Sequence, residues 1–153
     1  MKIENLRTEN HSNRTRVVAT VIWEDCDRSN QDLYFETTTE FAGDISCNPN
    51  AFLTACVLPA MRYGERRIAI DAPICPELKD GITTVVHYLA QWYGGKRQLI
   101  PIEALLQSRV SSVPKPRAGC LFSGGIDSLA MVRNNRLNFP SEHPRSFKDG
   151  ILV

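Results

Sequence analysis

The strongest constraint in the chain is a stretch near its C-terminal end, Ala118-Gly119-Cys120-Leu121-Phe122-Ser123-Gly124-Gly125-Ile126-Asp127-Ser128-Leu129-Ala130-Met131-Val132. Small apolar or aromatic residues lead into Ser-Gly-Gly. An apolar run then resumes at helical spacing through Ile126, Leu129 and Ala130, with Val132 or Arg133 a half-turn on. The pattern predicts a buried strand, a tight turn and a helix. Two adjacent glycines open backbone torsions closed to other residues, and they let a ligand approach the main chain with no β-carbon in the way. Successive N–H groups in such a turn, followed by the unpaired N–H groups of a helix start, form an anion-binding concavity. The guest that suits this chemistry is a phosphate.

Ser123-Gly124-Gly125-Ile126-Asp127-Ser128 resembles the SGGxDS pyrophosphate loop of the ATP pyrophosphatase (PP-loop) superfamily. That superfamily includes asparagine, GMP and NAD synthetases, 7-cyano-7-deazaguanine synthase and tRNA-thiolating enzymes. No lysine follows the glycines, which separates the motif from the GxxxxGK[ST] phosphate loop. The resemblance implies cleavage of ATP between its α- and β-phosphates, with activation of a carbonyl or carboxylate as an adenylate and release of pyrophosphate. It implies that Ser123, Gly124, Gly125 and Ser128 hold the β- and γ-phosphates through main-chain and hydroxyl donors. Asp127 would help place a magnesium ion or cap the helix. The implied ligands are thus ATP or pyrophosphate and Mg2+, together with an acceptor substrate that the sequence does not identify.

The resemblance covers residues 118–153 only. A helix from about Asp127 is expected to end near Asn134-Asn135, and after Pro140 and Pro144 the segment Phe147 to Val153 heads into an apolar strand. One strand–helix–strand unit does not build the crevice at the strand ends where a doubly wound sheet holds its nucleotide. The expectation is therefore an α/β chain: an accessory α+β domain (1–104), a linker (105–117), and the first strand, loop and helix of a PP-loop domain (118–153). On this reading the chain is the N-terminal part of a longer ATP-dependent adenylating enzyme and catalyses little alone. The alternative is a binding module for a protein or tRNA partner, with the loop a vestige; self-association through an exposed strand edge is a further option.

Composition narrows the field. With 153 residues, 42% of them hydrophobic and 23% charged, the chain has the makeup of a soluble globular protein of one or two small domains. The net charge of +1 conceals an asymmetry. Residues 1–95 hold 9 basic and 13 acidic side chains, whereas residues 96–153 hold 9 basic and 4 acidic, giving −4 and +5. A positive local field suits a polyphosphate or RNA. Five cysteines, odd in number and without a CxxC pair, argue against a disulfide framework and a zinc site. No apolar run approaches the ~18 residues of a membrane span, no signal peptide is evident, and a cytoplasmic location follows by default.

Along the chain, residues 1–13 are polar and predict at most a short strand. Arg16–Glu24 and Gln31–Thr39 read as a hairpin of two strands. Trp23, Tyr34 and Phe35 offer a base-stacking platform, but packing against the core and across strands is the ordinary use of aromatics in strands. Asn48-Pro49 predicts a helix start, and Phe52, Leu53, Cys56, Val57, Ala60 and Met61 supply its apolar face before Gly64. Pro59 is expected to kink it or break it near Val57. Arg66–Asp71 reads as a short strand. Pro76–Tyr93 reads as the strongest helix, with an apolar stripe through Leu78, Ile82, Val85, Val86, Leu89, Trp92 and Tyr93. His87 falls on its polar face, and Asp71 before Pro73 reads as a turn former. Gln98–Glu103, interrupted by Pro101, predicts an edge strand.

Overall fold

The computed structural model describes residues 1–107 and 118–153. The chain is mixed α/β and divides into two compact units, Met1–Val110 and Ser111–Val153.

In the first unit, β1 (Lys2–His11), β2 (Arg14–Ile22), β3 (Gln31–Thr38), β4 (Ile68–Ile70) and β5 (Ile102–Glu103) form one five-stranded sheet in the order β3-β2-β1-β4-β5. The hairpin β2-β3 pairs antiparallel, Val17 opposite Phe35 and Ala19 opposite Leu33. β1 is antiparallel to β2 and parallel to β4, and β4 is parallel to β5. Helices α1 (Pro49–Tyr63) and α2 (Pro76–Trp92) connect the parallel strands.

The ten-residue β1 lies at the centre of the sheet, far longer than the polar sequence predicts. The reason is a bulge. Ile3 pairs with Val21, but by Arg7 the register has moved by one residue, to Val18, and Asn5 takes a left-handed φ of 54°. A bulge of this kind adds one unpaired residue and reverses the in/out alternation beyond it. Ile3 therefore points into the core from an odd position and Leu6 packs against it from an even one. No single period of two survives across the strand for a sequence reading to find.

One face of the sheet carries the core, in which Val17, Ala19, Val21 and Trp23 meet Phe52, Leu53, Cys56 and Val57 of α1 and Ile82 and Val86 of α2. The other face is a ladder of charges: Arg7 binds Asp32 (2.6 Å) and Glu9 (2.7 Å), and Arg14 and Arg16 both bind Glu36. This alternation separates the three aromatics of the hairpin. Trp23 is buried, and Phe35 meets Phe52 with ring centroids 5.3 Å apart. Tyr34 stands on the opposite face beneath the Arg16 guanidinium (4.4 Å). They form no common stacking platform.

α1 begins and ends as its sequence dictates. The Asn48 side chain accepts from the Asn50 N–H, Pro49 occupies the first turn, and Gly64 closes the helix at φ 76°. Its buried residues are the six of the apolar face. The helix continues through Pro59 to Tyr63 rather than breaking near Val57. Ala60 and Met61, buried beyond the proline, hold the last turn against the core and offset the cost of one missing N–H donor. α2 uses its apolar stripe less fully than expected. Ile82 and Val86 are buried and Leu78 and Leu89 pack at the margin, whereas Val85, Trp92 and Tyr93 are exposed.

Past β5 the sheet has one more attachment. Ile74 N–H donates to the Leu105 carbonyl and Gln107 N–H to the Ile74 carbonyl, both at 2.9 Å. Residues 105–107, given to the linker by composition, thus hydrogen-bond along the edge of the first unit. The rest of that stretch, 108–117, lies outside the described residues.

The second unit is β6 (Ala118–Phe122), α3 (Ile126–Asn138) and β7 (Phe147–Leu152), with β6 and β7 parallel in a two-stranded sheet. β6 is not buried on both sides as its apolar run predicts. Ala118, Cys120 and Phe122 are half-buried on one face, while Gly119 and Leu121 (62% exposed) face outward on the other. α3 runs past the expected end at Asn134-Asn135. Asn135 is buried, its Nδ2 donating to the Arg145 carbonyl (2.8 Å) and its Oδ1 accepting from the Phe147 N–H (2.9 Å). A residue type that commonly ends helices here serves a tertiary purpose, fixing the approach of the chain to β7.

Candidate functional site: a serine-glycine turn at a helix start

Ser123, Gly124 and Gly125 connect the end of β6 to the first turn of α3. Gly124 has φ 73°, a conformation a side chain would strain, and a β-carbon built there meets nothing within 4 Å. The glycine is thus required by the turn itself and leaves the space above it open. Gly125 takes the N-cap position in an extended conformation (φ −75°, ψ 168°) and has no side chain with which to cap the helix. The N–H groups of Ile126, Asp127 and Ser128 occupy the first turn, where an α-helix supplies no internal acceptor. Their partial positive charge and the helix dipole favour an anion.

The side chains around the turn have distinct roles. Ser123 is exposed, and its Oγ accepts from the Gly125 N–H at 3.4 Å, a long contact that leaves the hydroxyl proton free to turn outward. Ser128 is buried and its Oγ–H donates to the Gly125 carbonyl at 2.8 Å. This bond braces the turn. To donate to a phosphate, the Ser128 hydroxyl must exchange that bond for a new one. Asp127 is exposed in the first turn of α3, where a carboxylate is stabilised by the helix dipole.

The five residues of the motif therefore share one turn, four exposed and one bracing it. Among the described residues no group of three or more His, Cys, Asp or Glu side chains converges as a metal cage. A magnesium ion needs none, since it keeps several waters and is commonly held by one or two carboxylates together with substrate phosphates; Asp127 fits that single-carboxylate role. A cavity of about 400 Å³ lies between the sheet and α3, lined by Cys120, Phe122, Val132, Arg136, Phe147 and Leu152 among others.

The other sequence candidates stay apart from this turn in chemistry. His87 is exposed and its Nδ1 bonds the Thr83 carbonyl at 2.7 Å on its own helix. Asp71 is exposed just past β4, its backbone N–H donating to the Ile3 carbonyl (3.1 Å). The five cysteines are all free thiols, and burial pushes the Cys56 thiol up to about 11. No helix among the described residues is long and apolar enough to cross a membrane.

Sequence reading missed one feature of this unit, the Asn135 clamp near the C-terminal end of α3. Its only signal is a polar residue in the register of the face that α3 turns toward β7. Compared with protein-family models, with curated proteins and with solved structures, the chain finds no match.

Proposed function

We propose that the turn Ser123–Ser128 binds the phosphates of ATP or pyrophosphate together with Mg2+, in the manner of the PP-loop ATP pyrophosphatases that its sequence resembles. The observation that carries this reading is the left-handed Gly124 between a strand end and an uncapped helix start, with open space where a side chain would stand. In this reading the backbone donors of the turn and the Ser123 hydroxyl hold phosphate oxygens. Asp127 supplies a carboxylate to the metal, which when bound neutralises phosphate charge. Adenylate formation on a carbonyl or carboxylate acceptor requires base and acceptor contacts beyond two strands and one helix, because nucleotide crevices of parallel sheets lie between neighbouring strand ends.

Calorimetric titration of the full chain with Mg-ATP and with Mg-pyrophosphate tests the reading, with Gly124→Val and Asp127→Ala alongside. The expected result is saturable binding that weakens about tenfold in Gly124→Val, because a side chain in the left-handed region costs ~1–2 kcal/mol. Asp127→Ala is expected to weaken Mg-ATP more than metal-free ATP. Absence of binding by the folded chain, or equal binding by all three proteins, overturns the proposal.

A further inference from the structure

The described arginines of the first unit fall into two groups. Arg7, Arg14, Arg16, Arg66 and Arg67 each pair with a carboxylate. Arg28, Arg62 and Arg97 make no ion pair among the described residues, although residues 1–95 carry an excess of acidic side chains. These three lie on one continuous patch. Arg97 Nη1 donates to the Arg62 carbonyl at 2.7 Å and its guanidinium lies over Tyr93 (5.4 Å). Arg62 reaches over Tyr63 (5.9 Å), and Arg28 covers the same ring at 4.4 Å.

Local structure explains part of this arrangement. A cation in the last turn of α1 is favoured by the helix dipole, and one Arg97 donor satisfies a carbonyl at that helix end. A guanidinium has five N–H donors, however, and stacking on a ring face leaves its edge donors pointing outward. The patch borders a groove of about 320 Å³ between the C-terminal parts of α1 and α2, with Leu58, Met61 and Leu89 as its apolar lining. Leu58 is 56% exposed there. The groove therefore combines a seat for an aliphatic or aromatic side chain with cationic, edge-on hydrogen-bond donors that match carboxylates bidentately.

We infer that this groove docks an acidic, amphipathic peptide segment of a partner protein, one apolar side chain entering between Leu58, Met61 and Leu89 and its flanking carboxylates pairing with Arg62 and Arg97. Charge complementarity selects this occupant: Arg62 and Arg97, two of the arginines without a carboxylate partner among the described residues, line the apolar groove. A single-stranded RNA would use the arginines but gains little from an aliphatic floor, since bases are held by open aromatic faces, and guanidiniums lie over Tyr63 and Tyr93 here. The inference concerns the first unit and stands apart from the phosphate turn.

Fluorescence anisotropy on the full chain tests it with a panel of labelled helical peptides. Each peptide carries Leu, Phe or Trp at i and i+4 and Glu at the remaining exposed positions. A matched panel with Gln in place of Glu and a single-stranded RNA complete the set. The variants are Arg62→Glu with Arg97→Glu, and separately Leu58→Glu, whose exposed side chain can change without loss of the fold; circular dichroism verifies this. The expected result is saturable binding of at least one Glu peptide, about tenfold weaker or more for its Gln counterpart and in either variant, as loss of charge-assisted bonds implies. Absence of binding across the Glu panel, equal binding of Glu and Gln peptides, or tighter binding of RNA that the arginine variant abolishes each overturns the inference.

Discussion

Glu65 offers the sharpest test of how the first unit is held together. Its side chain is fully buried, directly after the left-handed Gly64 that ends α1. Oε2 accepts from the Met1 α-amino group and from the Glu24 N–H (3.1 Å), and Oε1 accepts from the Asp25 N–H (3.2 Å). One carboxylate thus joins the start of β1, the exit of β2 and the end of α1. Glu65→Ala removes the acceptor of an ammonium and of two backbone donors together. Breaking a buried pair by deleting one partner costs about 3–5 kcal/mol. The ammonium keeps Glu24 Oε2 and the Arg67 carbonyl, each at 2.9 Å, so the low end of that range applies. A loss of about 3 kcal/mol is large against a net stability of ~5–15 kcal/mol. With a urea slope of about 2 kcal/mol per M, it moves the midpoint down by about 1.5 M. Glu65→Gln keeps the volume and one carbonyl oxygen, and is expected to lose about half as much, within the range for hydrogen bonds to charged groups. The assay is urea unfolding followed by tryptophan fluorescence, which reports this unit because Trp23 packs edge-on against Tyr63 (5.2 Å, 84°) next to the network. A loss below about 1 kcal/mol for Glu65→Ala would refute the reasoning, because a deleted partner in a dry network cannot cost so little.

Acid should weaken the same corner. Hydrogen bonds from Arg67, then from the Met1 amino group, hold the Glu24 carboxyl down from 4.5 to about 2. A carboxylate depressed in the folded state contributes stability that is present above its unfolded pKa and is lost as pH falls through the folded one. Urea midpoints are therefore expected to hold from neutral pH down to about 5 and to fall between 4.5 and about 2, with a shallower fall in Glu24→Gln; an unchanged profile in that variant contradicts the assignment. In the second unit, Asn135→Leu removes both bonds that fix the backbone of Arg145 and Phe147. Hydrogen exchange across Phe147–Leu152 is expected to accelerate about tenfold or more, as ~1–3 kcal/mol of lost bonding implies. Unchanged protection there means the strand is held by its pairing to β6 alone.

The hairpin, both helices of the first unit and the strand–turn–helix of the second are legible because each rests on local signals. Asn48-Pro49 and Gly64 bracket α1, and the Ser-Gly-Gly turn separates an apolar run from a helical one. What the sequence hides lies where a local rule meets a tertiary demand. The bulge at Asn5 breaks the alternation that would reveal β1, and the packing of Ala60 and Met61 carries α1 past Pro59. Asn135 reads as a helix terminator yet is spent on the backbone of a distant strand. The apolar stripe of α2 reads as core although Trp92 is 76% exposed.

By itself the sequence determined the chemistry available to the turn, since backbone torsions above glycine and donors at a helix start follow from a few adjacent residues. The tertiary structure alone decided that Ser128 braces the turn through the Gly125 carbonyl. It also decided that Glu65 receives donors from residues 40 and more positions away, and that Arg62 and Arg97 line one groove with no carboxylate partner among the described residues. Those facts depend on which surfaces meet when the sheet closes over its helices, and contacts between distant segments leave no periodic trace in the chain that makes them.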